Sequence, residues 1–279
     1  YRHAIFSREQ LRELRYAGLL PDFGQVGVSE PVLVKQKKLY PHDLELIRHR
    51  FAYLLQRADL EFERERSQLL IAGGCDDLDA VVARLERQCR QRQEELRRSL
   101  DAIVLANEPT VLPEGSFDAL QKIRQHTFVD FEGRERALLE DHELQFLMIR
   151  QGNLDEAERR EIESHVTHTY KFLEQIPWTR ELRAIPQIAY GHHEKLNGRG
   201  YPNALESSAI SVQTRMMTIA DIYDALTATD RPYKRAVSRA KALDILHMEA
   251  TEGMLDPVLL DAFVGARVFD AVPRDRAGD

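Results

Sequence analysis

Apolar residues recur at three- and four-residue steps through most of this 279-residue chain, and this spacing is typical of helices that bury one face. Strand signals are scarce. Residues 26–28 and 32–34 are rich in valine, but both runs are too short and too isolated to build a sheet. The sequence therefore predicts an all-α protein.

Two long, highly charged helices are predicted in the middle of the chain. The first runs from Asp43 to Leu70, and the second begins after Asp76 and Asp77, which favour helix starts, and continues to about Ala106. Helices of roughly 27 residues are about 40 Å long at a rise of 1.5 Å per residue. We predict that the two form an antiparallel hairpin within the chain. A coiled-coil arm that joins two copies as a homodimer is the alternative.

The composition narrows the classes of function. A net charge of −7 argues against binding of long nucleic acids, although a small dinucleotide needs only a few local cations. No apolar run approaches the roughly 20 residues that span a bilayer, so we expect no membrane span. The two cysteines, Cys75 and Cys89, are expected to be reduced thiols of a cytoplasmic protein. A start at Tyr1 instead of Met suggests a fragment.

The most specific motif is the segment 191–202, which reads Gly-His-His-Glu-Lys-Leu-Asn-Gly-Arg-Gly-Tyr-Pro. Its paired imidazoles and its carboxylate are common metal ligands, and its glycines allow a backbone to approach a ligand closely. A second segment, 220–226, reads Ala-Asp-Ile-Tyr-Asp-Ala-Leu. In these two segments the chain resembles the HD-GYP family, which are bacterial metal-dependent phosphodiesterases that open cyclic di-GMP.

The resemblance covers about residues 8–36 and 140–265. It implies an HD-superfamily helical bundle built from residues 1–39 and 140–279, with residues 40–139 inserted as the helical hairpin and its linker. Domains of this family usually lie C-terminal to a sensor or receiver domain. We therefore expect such a domain upstream of this chain.

The resemblance also implies a set of metal ligands. Asp22 matches a carboxylate that bridges two metal ions, His165 matches a lone histidine, and His192 with His193 matches an adjacent pair. Asp221 matches a final aspartate. Taken singly, each of these residues has an ordinary structural explanation. Taken together with the glycine-rich turn, they favour a bound divalent transition metal, with iron or manganese expected.

Two departures from the family pattern weaken this site. The histidine of the His-Asp pair is Pro21, which has no side-chain donor atom for a metal, and the lysine that should follow is Gln25. The resemblance then implies one near-complete metal site and a second that is impaired. Since hydrolysis in sites with two or three metals depends on water activated by those metals, turnover is expected to weaken.

On the substrate side, the resemblance assigns contacts with base and phosphate to two segments, the glycine-rich turn and the Arg-Pro-Tyr-Lys run at 231–234. Asp224 shares a helix face with Asp221 and is expected to orient a ligand, and with Asp22 it completes the residues assigned to catalysis. The predicted substrate-binding residues are Lys195, Arg199, Gly200, Tyr201, Pro202, Arg231 and Lys234. The histidines without motif support are expected to be structural or exposed: His3, His42, His49, His142, His168 and His247.

Three functions remain open at this point. The first is metal-dependent hydrolysis of cyclic di-GMP, and the second is a regulatory module that binds a cyclic dinucleotide or a protein partner without turnover. The third is a scaffold in which the helical arm supplies the function. Pro21 and Gln25 favour the second function on chemical grounds, whereas the intact glycine-rich turn favours retained binding of a nucleotide or a metal.

Overall fold

The computed structural model describes residues 5–73, 77–228 and 236–270. The chain divides into two compact units. We call Tyr1–Val34 with Glu156–Asp279 the split unit, and Lys35–Asp155 the hairpin unit. Because a compact unit does not show which segment was inserted into which, the insertion at residues 40–139 stays a prediction. Some residues named above lie outside the described ranges: His3, Cys75, Asp76, Arg231 and Lys234.

Helices make up most of the described residues, which confirms the all-α prediction. The α-helices are α1 (Arg8–Leu19), α2 (Glu30–Leu33), α3 (Pro41–Ala72), α4 (Leu78–Ala106), α5 (Ser116–Gln125), α6 (Asp141–Leu147), α7 (Glu156–Glu174), α8 (Ile185–Tyr190), α9 (Val212–Thr227), α10 (Arg239–Thr251) and α11 (Pro257–Gly265). Short 3₁₀ helices within the described ranges cover Phe23–Gly27, Ser207–Ala209 and Val268–Asp270. No described helix is both long and apolar enough to cross a membrane.

A small antiparallel strand pair in the hairpin unit was not predicted. Strand β1 (Thr127–Val129) pairs with β2 (Glu135–Ala137), and Phe128 lies opposite Arg136. Each strand has three residues, which is too short for an alternating pattern to stand out from the surrounding sequence. The valine-rich runs at 26–28 and 32–34 do not pair as strands, since they lie in or beside a 3₁₀ helix and α2.

The hairpin unit is built on α3 and α4, which pack against each other within the chain. Side chains bridge the two helices, for example Arg92 to Glu61 at 2.9 Å and Gln93 to Asp59 at 2.7 Å. The side chain of Asp77 accepts a hydrogen bond from Ala80 N and caps the start of α4. The buried core of the unit lies at one end of the hairpin and contains Leu39, Ile47, Phe51, Leu54, Ile103, Ala106, Leu112, Leu120, Ile123, Leu138, Leu139 and Leu147.

In the part of the split unit that the structure describes, buried apolar side chains form two clusters. The backbone N–H of Ala184 donates to the Glu13 carboxylate at 3.0 Å and so ties α1 to the start of α8. One cluster joins α1, α7, α8 and α9 through Ala17, Leu173, Ile185, Ile188, Ala189 and Met217. The other joins α9, α10 and α11 through Ile219, Tyr223, Ala242, Leu246, Leu255 and Leu260.

A buried ion pair holds α3 to α6 in the hairpin unit. Arg50 on α3 donates two hydrogen bonds to the carboxylate of Glu143 on α6 and a third to Leu138 O at 2.8 Å. The Glu143 side chain is 1% exposed and also accepts the backbone N–H of Glu140 at 2.8 Å. Removal of the carboxylate would leave a largely buried guanidinium without its counter-charge.

We therefore expect Glu143→Ala to lower the free energy of unfolding of the hairpin unit by about 3 kcal/mol. The matched control is Glu45→Ala, which removes the exposed pair with Arg48 and should cost less than about 1 kcal/mol. Urea unfolding followed by far-ultraviolet circular dichroism measures both. Equal losses in the two variants would contradict the importance of the buried pair.

Candidate metal centre

The loop that carries Asp22 packs directly on the backbone of α7. The N–H of Gly24 donates to Thr169 Oγ1 at 2.8 Å, and the Thr169 hydroxyl in turn donates to Pro21 O at 2.8 Å. A Cβ atom at Gly24 would lie 2.0 Å from His165 O, so only glycine permits this approach. These contacts place the Asp22 carboxylate beside the His165 imidazole.

Four of the predicted ligands meet at one point in the split unit. The ligand atoms of Asp22, His165, His192 and His193 all lie within 4.8 Å of one another. Asp22 comes from the residue before a 3₁₀ helix, His165 from α7, and the adjacent pair from the turn after α8. Such a set of imidazoles with one carboxylate suits a divalent transition metal.

Backbone carbonyls fix the orientation of two imidazoles. The Nδ1–H of His165 donates to Ile162 O and the Nδ1–H of His192 donates to Ala189 O, both at 2.6 Å. In a neutral ring this leaves the lone pair on Nε2. Both Nε2 atoms are buried and have no hydrogen-bond partner among the described residues. His165 Nε2 lies 3.3 Å from Asp22 Oδ1, but not in the geometry of a hydrogen bond.

These buried nitrogen atoms are the observation that fits a metal. A buried polar atom without a partner is costly, and a metal ion would satisfy both lone pairs at once. The residues present therefore fit a divalent metal at this position. His165, His192, His193 and Asp22 would hold it.

The electrostatics keep the adjacent histidines neutral. Burial, together with the neighbouring His192 and His165 rings, lowers the pKa of His193 to about 3. Burial also lowers the pKa of His192. Burial alone would lower the pKa of His165, but the contact with Asp22 outweighs burial and raises this pKa. Neutral imidazole is the form that binds metals, so His192 and His193 are ready to do so at neutral pH.

The carboxylate of Asp22 is ionised in this setting. Burial alone would raise its pKa, but the contact with His165 and the electrostatic effect of the nearby His192 ring outweigh burial and lower the pKa to about 2. The neighbouring Gln25 side chain lowers this pKa further. The centre thus offers one anionic oxygen ligand together with the neutral imidazoles of His192 and His193, as divalent metal sites require.

The two predicted aspartates of α9 lie in different surroundings. Asp221 Oδ2 is 3.9 Å from His193 Nδ1, so Asp221 borders the centre but is not one of the four mutually close ligands. Asp224 is exposed. The roles of Asp221 as a ligand and of Asp224 as an orienting residue stay predictions.

Glu194, which follows the histidine pair, shapes the glycine-rich turn. Its carboxylate is buried and accepts the backbone N–H of Asn203 at 2.8 Å and of Leu205 at 2.9 Å. The sequence pattern indicated only that this carboxylate is a possible metal ligand. Its role as an acceptor for backbone N–H groups of the turn was not predicted. A carboxylate that precedes a glycine-rich segment was the available signal, since free backbone N–H groups of such turns need acceptors.

The turn brings Tyr201 back onto the histidine pair. The Tyr201 ring stacks on His193 with ring centres 4.7 Å apart, and Tyr201 N donates to His193 O at 3.3 Å. Burial raises the pKa of the Tyr201 hydroxyl. Pro202 follows through a cis peptide bond and is half-buried.

The basic residues of the turn are placed differently. Lys195 Nζ forms an ion pair with Glu249 of α10 at 2.7 Å, whereas Arg199 is exposed. Gly200 lies against the backbone, because a Cβ there would be 2.3 Å from Lys195 N. Their contacts with a substrate stay predictions, and Arg231 and Lys234 lie outside the described residues.

Metal binding provides a direct test of the centre. We expect the protein to bind Mn²⁺ in equilibrium dialysis with elemental analysis, and His192→Ala to weaken that binding by more than about tenfold, because the buried nitrogen ligand is lost. His247→Ala removes an exposed histidine of the same unit and should leave binding unchanged. Binding by His192→Ala at the wild-type level would contradict the centre.

The close approach at Gly200 predicts a stability effect. Gly200→Ala should lower the free energy of unfolding of the split unit by about 2 kcal/mol, because the added methyl group collides with backbone atoms. Gly18→Ala in α1 meets nothing within 4 Å and should raise stability by up to about 1 kcal/mol. Urea unfolding followed by the fluorescence of Trp178, the one tryptophan of the chain, reports on this unit. A neutral Gly200→Ala would show that the turn relaxes freely.

Part of this chain is similar to known proteins. Residues 142–259 match the family described as HD domain, and this segment contains three histidines of the centre as well as Asp221. The chain is 41% identical over 106 residues to a 3'3'-cGAMP-specific phosphodiesterase of Vibrio cholerae, a match that covers 38% of this chain and 22% of the relative.

Two further relatives carry related names. A cyclic di-GMP phosphodiesterase of Pseudomonas aeruginosa is 40% identical over 82 residues, which cover 29% of this chain and 19% of the relative. A cyclic di-GMP phosphodiesterase response regulator of Xanthomonas campestris is 32% identical over 121 residues, which cover 43% of this chain and 31% of the relative. The chain thus spans less than a third of the length of each of these relatives. Together with the His192-His193 motif and its glycine-rich turn, these matches support an HD-GYP-type domain in this chain.

Proposed function

We propose that the split unit is a metal-dependent phosphohydrolase domain that binds cyclic di-GMP or a related cyclic dinucleotide and hydrolyses it slowly, because only one metal site is near complete. The observation that carries the proposal is the meeting of Asp22, His165, His192 and His193 within 4.8 Å, with two buried Nε2 atoms left without hydrogen-bond partners among the described residues. The names of the relatives support a cyclic dinucleotide as the substrate class.

The chemistry expected of the domain follows from the type of centre. A bound iron or manganese ion would act as a Lewis acid on a phosphoryl oxygen and would lower the pKa of water. The residues of the chain hold the ion with one anionic oxygen and three imidazole nitrogens. Asp221, next to His193, is suited to orient that ring or to accept a proton close to the centre.

The impairment is proposed from the surroundings of Pro21. Proline offers no side-chain ligand atom, and the Pro21 carbonyl oxygen already accepts the Thr169 hydroxyl. Gln25 lowers the pKa of Asp22 but supplies no positive charge toward a phosphate. A second metal would therefore lack a ligand on this side, and the activation of water would be weaker than with two metals.

Substrate contacts are proposed for the turn that folds over the centre. The Tyr201 ring stacks on His193 and is half-buried, so its remaining surface is available to a base or a sugar. Arg199 is exposed at the same turn, and its guanidinium can donate two parallel hydrogen bonds to two oxygens of a phosphate. The Lys195 ammonium group forms an ion pair with Glu249, so Lys195 would contribute to the stability of the turn more than to substrate binding.

The test combines binding and turnover in one set of variants. We expect protein loaded with Mn²⁺ to bind cyclic di-GMP or 3'3'-cGAMP in calorimetry and to release linear product slowly in a chromatographic assay. His193→Ala should abolish both, and His247→Ala should change neither. Pro21→His with Gln25→Lys should raise the turnover rate by at least about tenfold, because a second metal and a phosphate contact are restored.

The outcomes separate the proposal from its alternative. Absence of binding to either dinucleotide by the metal-loaded protein would contradict the proposed function. Binding without any turnover, even in the Pro21→His/Gln25→Lys variant, would instead support a regulatory module that senses the nucleotide or contacts a protein partner. Pro21 favours that alternative. It offers no side-chain metal ligand, while its carbonyl oxygen still accepts the Thr169 hydroxyl and holds the loop on α7.

A further inference from the structure

The outer part of the helical hairpin lacks a buried core of its own. Over the described length of both helices, α3 has no buried residue beyond Ala58, and α4 has none before Ile103. We call residues 58–72 and 78–92 the distal arm. Helices in proteins owe most of their stability to the burial of an apolar face, so the two helices of the distal arm stabilise each other only in part.

An open groove of about 170 Å³ runs between the two helices of the distal arm. Its apolar floor consists of Ala58, Phe62, Leu85 and Cys89, and the last three are only half-buried. Toward the base of the hairpin, strands β1 and β2 border the next cavity, and Arg92 lines both cavities. Every residue that lines the groove belongs to α3 or α4, so no other described element covers it.

The charges of the distal arm are self-complementary. Residues 58–72 carry four carboxylates and two guanidinium groups, whereas residues 78–92 carry four guanidinium groups and two carboxylates. The rims of the groove follow this division, with Glu61 and Glu65 on the α3 side and Arg92 on the α4 side. Among the described ion pairs, Arg92 with Glu61 is the one that joins the two helices. Most of the opposite charge is therefore not paired across the hairpin.

A second copy of this chain is the partner that fits the pattern. Two grooves can face each other around a two-fold axis parallel to the helices, which places α3 of each copy over α4 of the other. The acidic helix then meets the basic helix at both contacts. A two-fold axis across the helices would place α3 over α3 and α4 over α4, where like charges repel. The parallel axis is therefore favoured, and it gives a four-helix bundle with Phe62 and Leu85 inside.

The size of the face indicates a reversible dimer. Helices of about 15 residues are about 22 Å long, and two of them side by side are about 20 Å wide, so each copy offers about 450 Å². The total of about 900 Å² lies at the low end for specific interfaces. We therefore expect dimerisation at about micromolar concentration.

We propose that the distal arm is a homodimerisation surface, in which the grooves of two copies face each other and α3 of one copy packs on α4 of the other. A hairpin within the chain and a homodimer are compatible, because the dimer pairs two intact hairpins. The surface lies in the hairpin unit and shares no residue with the cluster at Asp22, so it does not depend on the function proposed for that cluster.

Sedimentation equilibrium of the untagged full-length chain tests the surface. We expect the average mass to rise from that of one chain to that of two as the concentration increases to about 200 μM. Phe62→Glu places a carboxylate in the floor of the groove and should weaken dimerisation by at least about tenfold. The matched control is Leu60→Glu, because Leu60 is 50% exposed and does not line the groove. This control should leave dimerisation unchanged.

Two outcomes of this experiment would overturn the proposal. A monomer at every concentration would leave the groove to a different protein. Equal losses with Phe62→Glu and Leu60→Glu would place any dimer contact elsewhere. Binding of Mn²⁺ and of cyclic dinucleotide by the Phe62→Glu protein reports on the proposed function separately.

A charge swap tests the orientation and leaves the apolar floor intact, in case Phe62→Glu disturbs the hairpin itself. Glu65 is exposed on the acidic rim, and Arg84 is exposed on α4 one turn before Gln88, which lines the groove. Glu65→Arg alone should weaken dimerisation by at least about tenfold, because it faces the basic helix of the second copy. Addition of Arg84→Glu should restore dimerisation. No loss in the single variant, or no recovery in the double variant, would overturn the pairing of α3 with α4 and the proposal with it.

Discussion

The packing of the Pro21–Gly24 loop on α7 is the constraint on which the candidate metal centre depends. A single hydroxyl, that of Thr169, accepts the N–H of Gly24 and donates to Pro21 O, so it holds the loop from both sides. The absence of a side chain at Gly24 lets the loop touch the helix backbone. Asp22 thereby reaches His165, although the two are far apart in sequence.

The rest of the centre is organised in the same manner, by backbone groups that hold side chains in one orientation. Carbonyl oxygens of Ile162 and Ala189 fix two imidazole rings, and burial keeps the paired histidines neutral. At Glu194 the roles of side chain and backbone are exchanged: the carboxylate accepts backbone N–H groups and so fixes the turn. A metal ion would then bind to ligands that are already oriented, which lowers the entropic cost of binding.

Much of the fold could be read from the sequence because its helices are long and strongly periodic. The predicted helix from Asp43 to Leu70 is α3, Pro41–Ala72, and the predicted end at Ala106 is the end of α4. The strand pair at Thr127–Val129 escaped prediction, since three residues carry no usable period. Its existence depends on pairing with another segment and on contacts such as that between Tyr53 and Val129 O.

The sequence by itself determined the chemical types available to the centre. It provides three histidines and an aspartate in the order of the HD-GYP pattern, and it excludes a side-chain ligand at Pro21. Tertiary structure decided which groups meet. It brought Asp22 to His165, left Asp221 at the border of the cluster, and directed Lys195 to Glu249. The physical reason is that these meetings depend on close backbone approach and on hydrogen bonds between distant segments, and local sequence patterns do not encode such contacts.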